Sequence, residues 1–262
     1  MMIWKKGMID LKHGDAMNLL QILEPKSVDL CLTDPPYNIG DKSKLTKVKN
    51  SIQTTADAWG GKFQDSWATF EEYADWILKI FSLVDKALKD NGSCIIFLDR
   101  KMTGYFIYRM EHELGWTFKS KFYFEKLNPV PHIRKNNYLS NMEEAIWMVK
   151  TSNRYTINFL SQTTMKPLWK GCIGSNGNKR SDHPTEKYEW MISPLLQRHA
   201  RRGQTVLDPF MGSGIVGMIS KRIGMNFIGF EKERGYFMDA KRRIDSMGIT
   251  SEISTSDCEV DE

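Results

Sequence analysis

The sequence predicts an α/β fold, one large domain of buried strands and amphipathic helices with a small insertion. Three observations lead there. Apolar runs at residues 28–32, 93–98, 205–207 and 226–230 each lead into an acid, respectively Asp34, Asp99, Asp208 and Glu231. Runs of that length bounded by turn residues read as buried strands, and the ligands of open α/β sheets collect at the carboxyl ends of strands. Between them lie helical patterns, of which Trp76, Ile77, Ile80, Phe81, Val84 and Leu88 form the strongest stripe. Finally, 262 residues at 41% hydrophobic and 26% charged are enough for one sizeable core.

In order, residues 8–13 predict a short strand, and Gly14-Asp15 a turn in which Asp15 caps a helix at 16–23. Cap and ligand are equally good roles for Asp15. Pro25 ends that helix, and the strand at 28–32 runs into Asp34-Pro35-Pro36-Tyr37. The prolines fix φ and lack N–H donors, so the chain must turn abruptly. The turn offers a carboxylate, backbone carbonyls and an aromatic face, a set that suits a flat ring bearing an amino group. The plainer alternative is ordinary turn chemistry with Tyr37 on a rim.

Residues 38–66 are polar, with Lys42, Lys44, Lys47 and Lys49 followed by Trp59-Gly60-Gly61. A polar stretch this long in a compact domain is usually functional or disordered, and its place after the turn predicts a mobile lid. A solvated loop is the alternative. Thr69 and Glu72 make a capping-box pattern for a helix over 69–89, which Asn91-Gly92 is expected to end. A strand at 93–98, a helix at 102–114 and a strand at 118–125 follow. Leu127-Asn128-Pro129-Val130-Pro131-His132 reads as a rigid loop before Arg134-Lys135, then a strand at 144–149.

Residues 151–182 look irregular, contain Trp169 and Lys179-Arg180, and are the one place for a second, non-core element. His183-Pro184-Thr185-Glu186-Lys187 precedes a helix at 188–200. The strand at 205–208 opens into Asp208-Pro209-Phe210-Met211-Gly212-Ser213-Gly214 and a helix to residue 223. A strand at 226–230 ends at Glu231, a helix covers 235–246, and the acidic tail at 251–262 is expected to be disordered. The domain therefore spans 1–250.

The net charge of +5 fits a polyanionic partner. The four cysteines lack CxxC spacing and read as reduced thiols, the five histidines are scattered, and no run is long and apolar enough to cross a bilayer. These features predict a cytoplasmic chain with neither metal nor membrane contact.

Gly212 to Gly217 matches GxGxxG, with Glu231 where a ribose-binding acid belongs, so a dinucleotide-dependent oxidoreductase competes. Charge argues against it: Asp208 at the strand end would face a pyrophosphate. A cofactor with a cationic head suits that carboxylate better. S-adenosyl-L-methionine, with its ammonium, sulfonium and adenosine, fits both acids, and Gly212 and Gly214 would let the backbone approach it. A packing-driven turn with the acids as caps is the alternative.

Five motifs in this order resemble the amino-methyltransferases of DNA, in particular the permuted beta group with an Asp-Pro-Pro-Tyr motif: Asp34-Pro35-Pro36-Tyr37, Asn128-Pro129, Glu144-Ala145-Ile146-Trp147, His183-Pro184-Thr185-Glu186-Lys187 and the segment Asp208 to Gly214. The resemblance implies a Rossmann-like, mostly parallel sheet with one antiparallel strand and helices on both faces. It also implies S-adenosyl-L-methionine as methyl donor, double-stranded DNA as partner and, as in many members, a homodimer. Asp34, Pro35, Pro36 and Tyr37 would be catalytic. Asp15, Asp34, Asp208, Phe210, Gly212, Ser213, Gly214 and Glu231 would line the cofactor site, with His183, Thr185 and Lys187 closing over its methionine end. Phosphate contacts are expected from Lys42, Lys44, Lys47, Lys49, Arg134, Lys135, Lys179 and Arg180.

An Asp-first motif resembles the adenine-N6 group, with cytosine-N4 the alternative. RNA or protein-glutamine methylation, or nucleic-acid binding with an inactive site, are further ones. Ile215 and Tyr188 stand where the family usually has threonine and often has proline. The target-recognition segment, 151–182, is short, which predicts a short or relaxed target sequence, or help from the 38–66 loop or a second subunit.

Overall fold

A computed structural model describes residues 7–37, 67–131, 135–151, 154–174 and 186–248. The segment at 38–66 expected to form a lid, Arg134, Lys179, Arg180, His183, Thr185 and the acidic tail lie outside the described residues, as do Lys42, Lys44, Lys47 and Lys49.

Among the described residues, eight strands form one sheet: β1 (Ile9–His13), β2 (Val28–Thr33), β3 (Leu88–Leu98), β4 (Thr117–Lys126), β5 (Met142–Val149), β6 (Leu168–Gly171), β7 (Thr205–Asp208) and β8 (Asn226–Glu231). Their spatial order is β1-β8-β7-β2-β3-β5-β4-β6. All pairs are parallel except those of β5, which runs antiparallel to both β3 and β4. The expected single antiparallel strand is therefore β5.

Among the described residues, six helices cover the sheet: α1 (Ala16–Gln21), α2 (Phe70–Ala87), α3 (Thr103–Leu114), α4 (Glu189–His199), α5 (Ile215–Arg222) and α6 (Arg234–Ser246). The period-2 alternation of the strands divides the core. Cys31, Cys94 and Ile96 pack with α1, α2 and α3 on one face, while Leu30, Leu32, Ile95 and Phe97 pack with α4, α5 and α6 on the other.

Local chemistry sets the helix ends. Asp15 accepts a hydrogen bond from the Met17 N–H, so it fills the cap role, one of the two that the sequence left open. Thr69 Oγ1 accepts from the Glu72 N–H. Gly115 closes α3 at φ +68°, a conformation that costs glycine little.

Two expectations need correction. Asn91-Gly92 does not end α2. Leu88, fully buried, already adopts extended backbone, and β3 runs through both residues. The register against β2 jumps from Val28↔Leu88 to Leu30↔Ser93, so 89–92 form a bulge. A Cβ on Gly92 would lie 2.9 Å from the Lys89 carbonyl oxygen, which explains the glycine as a bulge residue. Secondly, part of the segment expected to be irregular is ordered: Leu168–Gly171 is β6, pairing with Tyr123–Lys126 at the sheet edge.

His199 at the end of α4 is 2% exposed, its ring 4.4 Å from that of Trp147, and its Nδ1 has no hydrogen-bond partner. Burial, reinforced by Arg198, lowers its pKa from 6.5 to about 3. The unfolded chain then binds this proton more tightly than the folded one, so stability contributed here is lost as pH falls below about 6.5. His199→Phe removes that dependence. Whatever its pH-independent offset, its unfolding free energy relative to wild type should rise on acidification by about 1.4 kcal/mol per pH unit below the unfolded-state pKa. Urea denaturation at pH 5 and pH 8 checks this.

Candidate active site

Strands β1, β8, β7 and β2 are consecutive neighbours and parallel, so their carboxyl ends share one edge of the sheet. Each leads into an acid at that edge: Asp15, Glu231, Asp208 and Asp34. Pairing of Leu30 with Val206 and of Cys31 with Leu207 sets the ends of β2 and β7 side by side. A single cavity results, and Asp34, Asp208, Glu231 and Asp15 all line it. Two acids 174 positions apart in the sequence thus open into one space.

The turn after β2 is held from both sides. The Tyr73 hydroxyl, from α2, donates to the Pro36 carbonyl at 2.8 Å, so one of the turn's carbonyls is already engaged. Tyr37 Oη donates to Asp34 Oδ1 at 2.5 Å. The Lys187 ammonium donates to Asp34 Oδ2 at 2.5 Å and lies 3.3 Å from both Tyr37 Oη and Glu143 Oε2. It also sits over the rings of Phe97 and Tyr37, 5.1 and 5.4 Å from their centroids.

Burial pushes the Asp34 carboxyl above its ordinary pKa, opposed by Lys187 and Tyr37 and assisted by Glu143. The Tyr37 phenol rises for the same reason, with Asp34 adding to it. Burial alone would raise Glu143, but the ammonium groups of Lys187 and Lys126 outweigh it and hold that carboxyl at about 2. Burial would lower Lys187, and Asp34 and Glu143 together raise it well above the usual lysine value.

On the other side, Asp208 is 3% exposed; its Oδ1 accepts from the Thr33 hydroxyl at 2.8 Å and the Phe210 N–H at 3.1 Å. Burial lifts its pKa to about 7, with those hydrogen bonds opposing and Asp34 and Glu231 adding repulsion. A carboxylate so poised gains from a cation and loses from further negative charge. Glu231 Oε2 accepts from the Gly212 N–H at 3.0 Å and Oε1 from the Glu233 N–H at 2.7 Å. Asp15 keeps Oδ2 3.4 Å from Lys232 Nζ. Arg243 pairs with Glu186 and donates to the Ser213 carbonyl, which ties the segment before α4 to the glycine turn.

Pro35, Pro36, Tyr37, Lys187, Phe210, Gly212 and Ser213 also line the cavity. Gly214 is not among the lining residues. It ends the turn at φ +77°, where a Cβ would lie 2.9 Å from that of Ala240, so helix packing demands it. Lys135, at φ +50°, sits in the exposed loop after β4, away from the cavity. Of the expected methionine-end residues, Lys187 alone is described, and it contacts the Asp34 turn.

Sequence reasoning missed Glu143, because its partner Lys187 is 44 residues on and no local pattern joins them. The helical stripe that includes Trp76 reads as core by its spacing alone. In space Trp67, Trp76 and Phe210 form an aromatic wall of the cavity, with centroids 4.8 Å apart for the tryptophans and 5.7 Å for Trp76 and Phe210.

A family model described as DNA methylase matches residues 28–242. The Type II methyltransferase M2.DpnII of Streptococcus pneumoniae is 25% identical over 258 residues, covering 95% of this chain and 94% of that protein. Among solved structures, a complex of M1.HpyAVI with SAM matches with TM-score 0.67 and 27% identity, over 91% of this chain and all of that one. The cytosine-N4-specific PvuII DNA methyltransferase matches with TM-score 0.71 over 95% of this chain and 89% of that one; at 19% identity the likeness is one of fold.

Proposed function

The chain belongs to the N6/N4 family of DNA methylases, and on that premise we propose that it moves the methyl group of S-adenosyl-L-methionine to the N6 amino group of adenine in duplex DNA. The observation that carries this reading is the common cavity of Asp34 and of Asp208 with Glu231. One end offers an acceptor and an aromatic ring to a base, and the other offers the buried Asp208 and the half-buried Glu231 to a cationic nucleoside.

The residues of this chain bind, orient and hold protons. Asp208 favours the cationic cofactor, Glu231 holds the ribose hydroxyls, and Trp67, Trp76 and Phe210 supply faces for an adenine ring. The target base must leave the duplex stack to reach Asp34. Tyr37 stacks on it, while the Asp34 carboxylate and the Pro35 carbonyl accept its amino hydrogens and hold the nitrogen lone pair toward the methyl group. S-adenosyl-L-methionine, held by Asp208 and Glu231, would supply the methyl group: the nitrogen lone pair would form the N–C bond as the C–S bond breaks, with the electron pair of that bond left on sulfur. The aminium so formed would pass its proton to the Asp34 carboxylate or to solvent. Positioning and acceptors that strengthen as nitrogen becomes positive supply the acceleration. Asp34 need not deprotonate the amine first.

The segment at 151–182 is assigned to target recognition, with β6 as its fixed base. Such a small module predicts a short or relaxed site, since single modules bury roughly 600–1,000 Å².

The test incubates the purified chain with S-adenosyl-L-methionine and plasmid DNA, then digests the product to nucleosides for mass spectrometry. N6-methyldeoxyadenosine is expected. N4-methyldeoxycytidine would overturn the choice of base. Binding of the cofactor without any methylated DNA nucleoside would overturn the choice of substrate.

A further inference from the structure

We propose that Lys187 is a positioning residue of the acceptor side: its ammonium occupies the place at Asp34 that the target amino group must take, and it withdraws to Glu143 when the base enters. This deepens the function proposed above and rests on it.

The geometry is that of a cation site with two stations. Both oxygens of Asp34 are engaged, Oδ1 by Tyr37 and Oδ2 by Lys187, so an incoming amino group must displace one of them. Lys187 has somewhere to go. Glu143 Oε2 is shielded from solvent and forms a longer ion pair, 3.3 Å, with the same ammonium. The other Glu143 oxygen is held by Lys126 at 2.5 Å, which fixes the second station on the sheet. A lysine stem can cover the short step between the two oxygens by rotamer change.

The surroundings explain why a lysine serves. Two carboxylates, the Tyr37 hydroxyl and the faces of Tyr37 and Phe97 enclose the ammonium, whose side chain is 8% exposed. A site that stabilises a buried cation also stabilises the charge that develops on an amino nitrogen during methyl transfer. Two full cations could not share it, so the lysine must yield. While it remains, it opposes the rise that burial imposes on the Asp34 pKa. The charged and titratable groups facing Asp34 are Lys187 from the segment before α4, Tyr37 from its own turn, Glu143 from β5 and Asp208 from β7.

The test uses Lys187→Met and Glu143→Gln in the full chain. Carbon-13 NMR titration of aspartate carboxyls, with Asp34 assigned by its absence in Asp34→Asn, reads the acceptor side without need of turnover. In Lys187→Met the Asp34 midpoint should rise by at least one pH unit, and the acid limb of kcat should move with it, while the S-adenosyl-L-methionine Kd stays within threefold. In Glu143→Gln the second station loses its charge. There kcat/KM for DNA should fall at least tenfold with the cofactor Kd again unchanged. An unmoved Asp34 midpoint, or a tenfold loss of cofactor affinity in Lys187→Met, overturns the proposal. So does an unchanged kcat/KM in Glu143→Gln, which also decides the matter if Lys187→Met does not fold. If the wild-type chain methylates no DNA, the function above fails, yet the titration still decides whether Lys187 governs Asp34.

Discussion

Asp34→Ala is expected to lower kcat for methyl transfer by about a thousandfold or more, while the Kd for S-adenosyl-L-methionine stays within a few-fold of wild type. The carboxylate is a hydrogen-bond acceptor aimed at the reacting amino nitrogen, and removing one preorganised group of that kind typically costs 10²–10³ in kcat. Loss of the orientation it imposes adds to that. The cofactor end of the cavity does not depend on it. Asp208 takes its hydrogen bonds from Thr33 and Phe210, and Glu231 from Gly212 and Glu233. Removing one partner of a buried ion pair can itself cost about 3–5 kcal/mol. Here Lys187 retains Glu143, so the penalty is smaller. Asp34→Asn keeps shape and one acceptor oxygen, and separates the loss of charge from the loss of packing. Single-turnover methylation with calorimetric cofactor titration provides the readout. Wild-type rates in Asp34→Ala would remove Asp34 from the mechanism.

The sheet was legible because its strands are short apolar runs closed by acids and turn residues, a signal local to each run. The Asp34 turn was legible for the same reason: two prolines and an aromatic leave the chain few conformations. What escaped depended on distance along the chain. Lys187 follows His183-Pro184-Thr185 in sequence and was assigned with them to the cofactor. Its contacts with Asp34 and Glu143 join positions 153 and 44 residues away, and no window of sequence contains either pair. Trp76 has helical spacing with true core residues, yet it stands near the start of α2, where the helix reaches the cavity mouth. At Asn91-Gly92 local turn chemistry pointed to a helix end, and burial of Leu88 in the sheet overrode it. β6 has four residues and an exposed edge, too little for periodicity to register.

The GxGxxG match supplies the second large effect, and it concerns folding rather than ligand binding. Gly217→Val should destabilise the chain by about 3 kcal/mol or more, beyond the usual 1–3 kcal/mol of overpacking. A Cβ at Gly217 would stand 2.5 Å from Phe227 Cε1 and 2.6 Å from Ile244 Cδ1. Phe227 is fully buried in β8 and Ile244 in α6, so neither ring nor helix has free space into which to retreat. Valine brings two further methyl groups to the same place. At roughly 2–4 °C per kcal/mol for a domain of this size, Tm should fall by about 6–12 °C or more. Gly104→Ala is the control, since nothing lies within 4 Å of a Cβ there and alanine suits the first turn of α3. The third glycine of the match is therefore required by the approach of α5 to β8 and α6, whatever nucleotide the turn holds. A Gly217→Val chain that melts within 2 °C of wild type would mean that this packing is loose, and would return the glycines to a ligand-contact role.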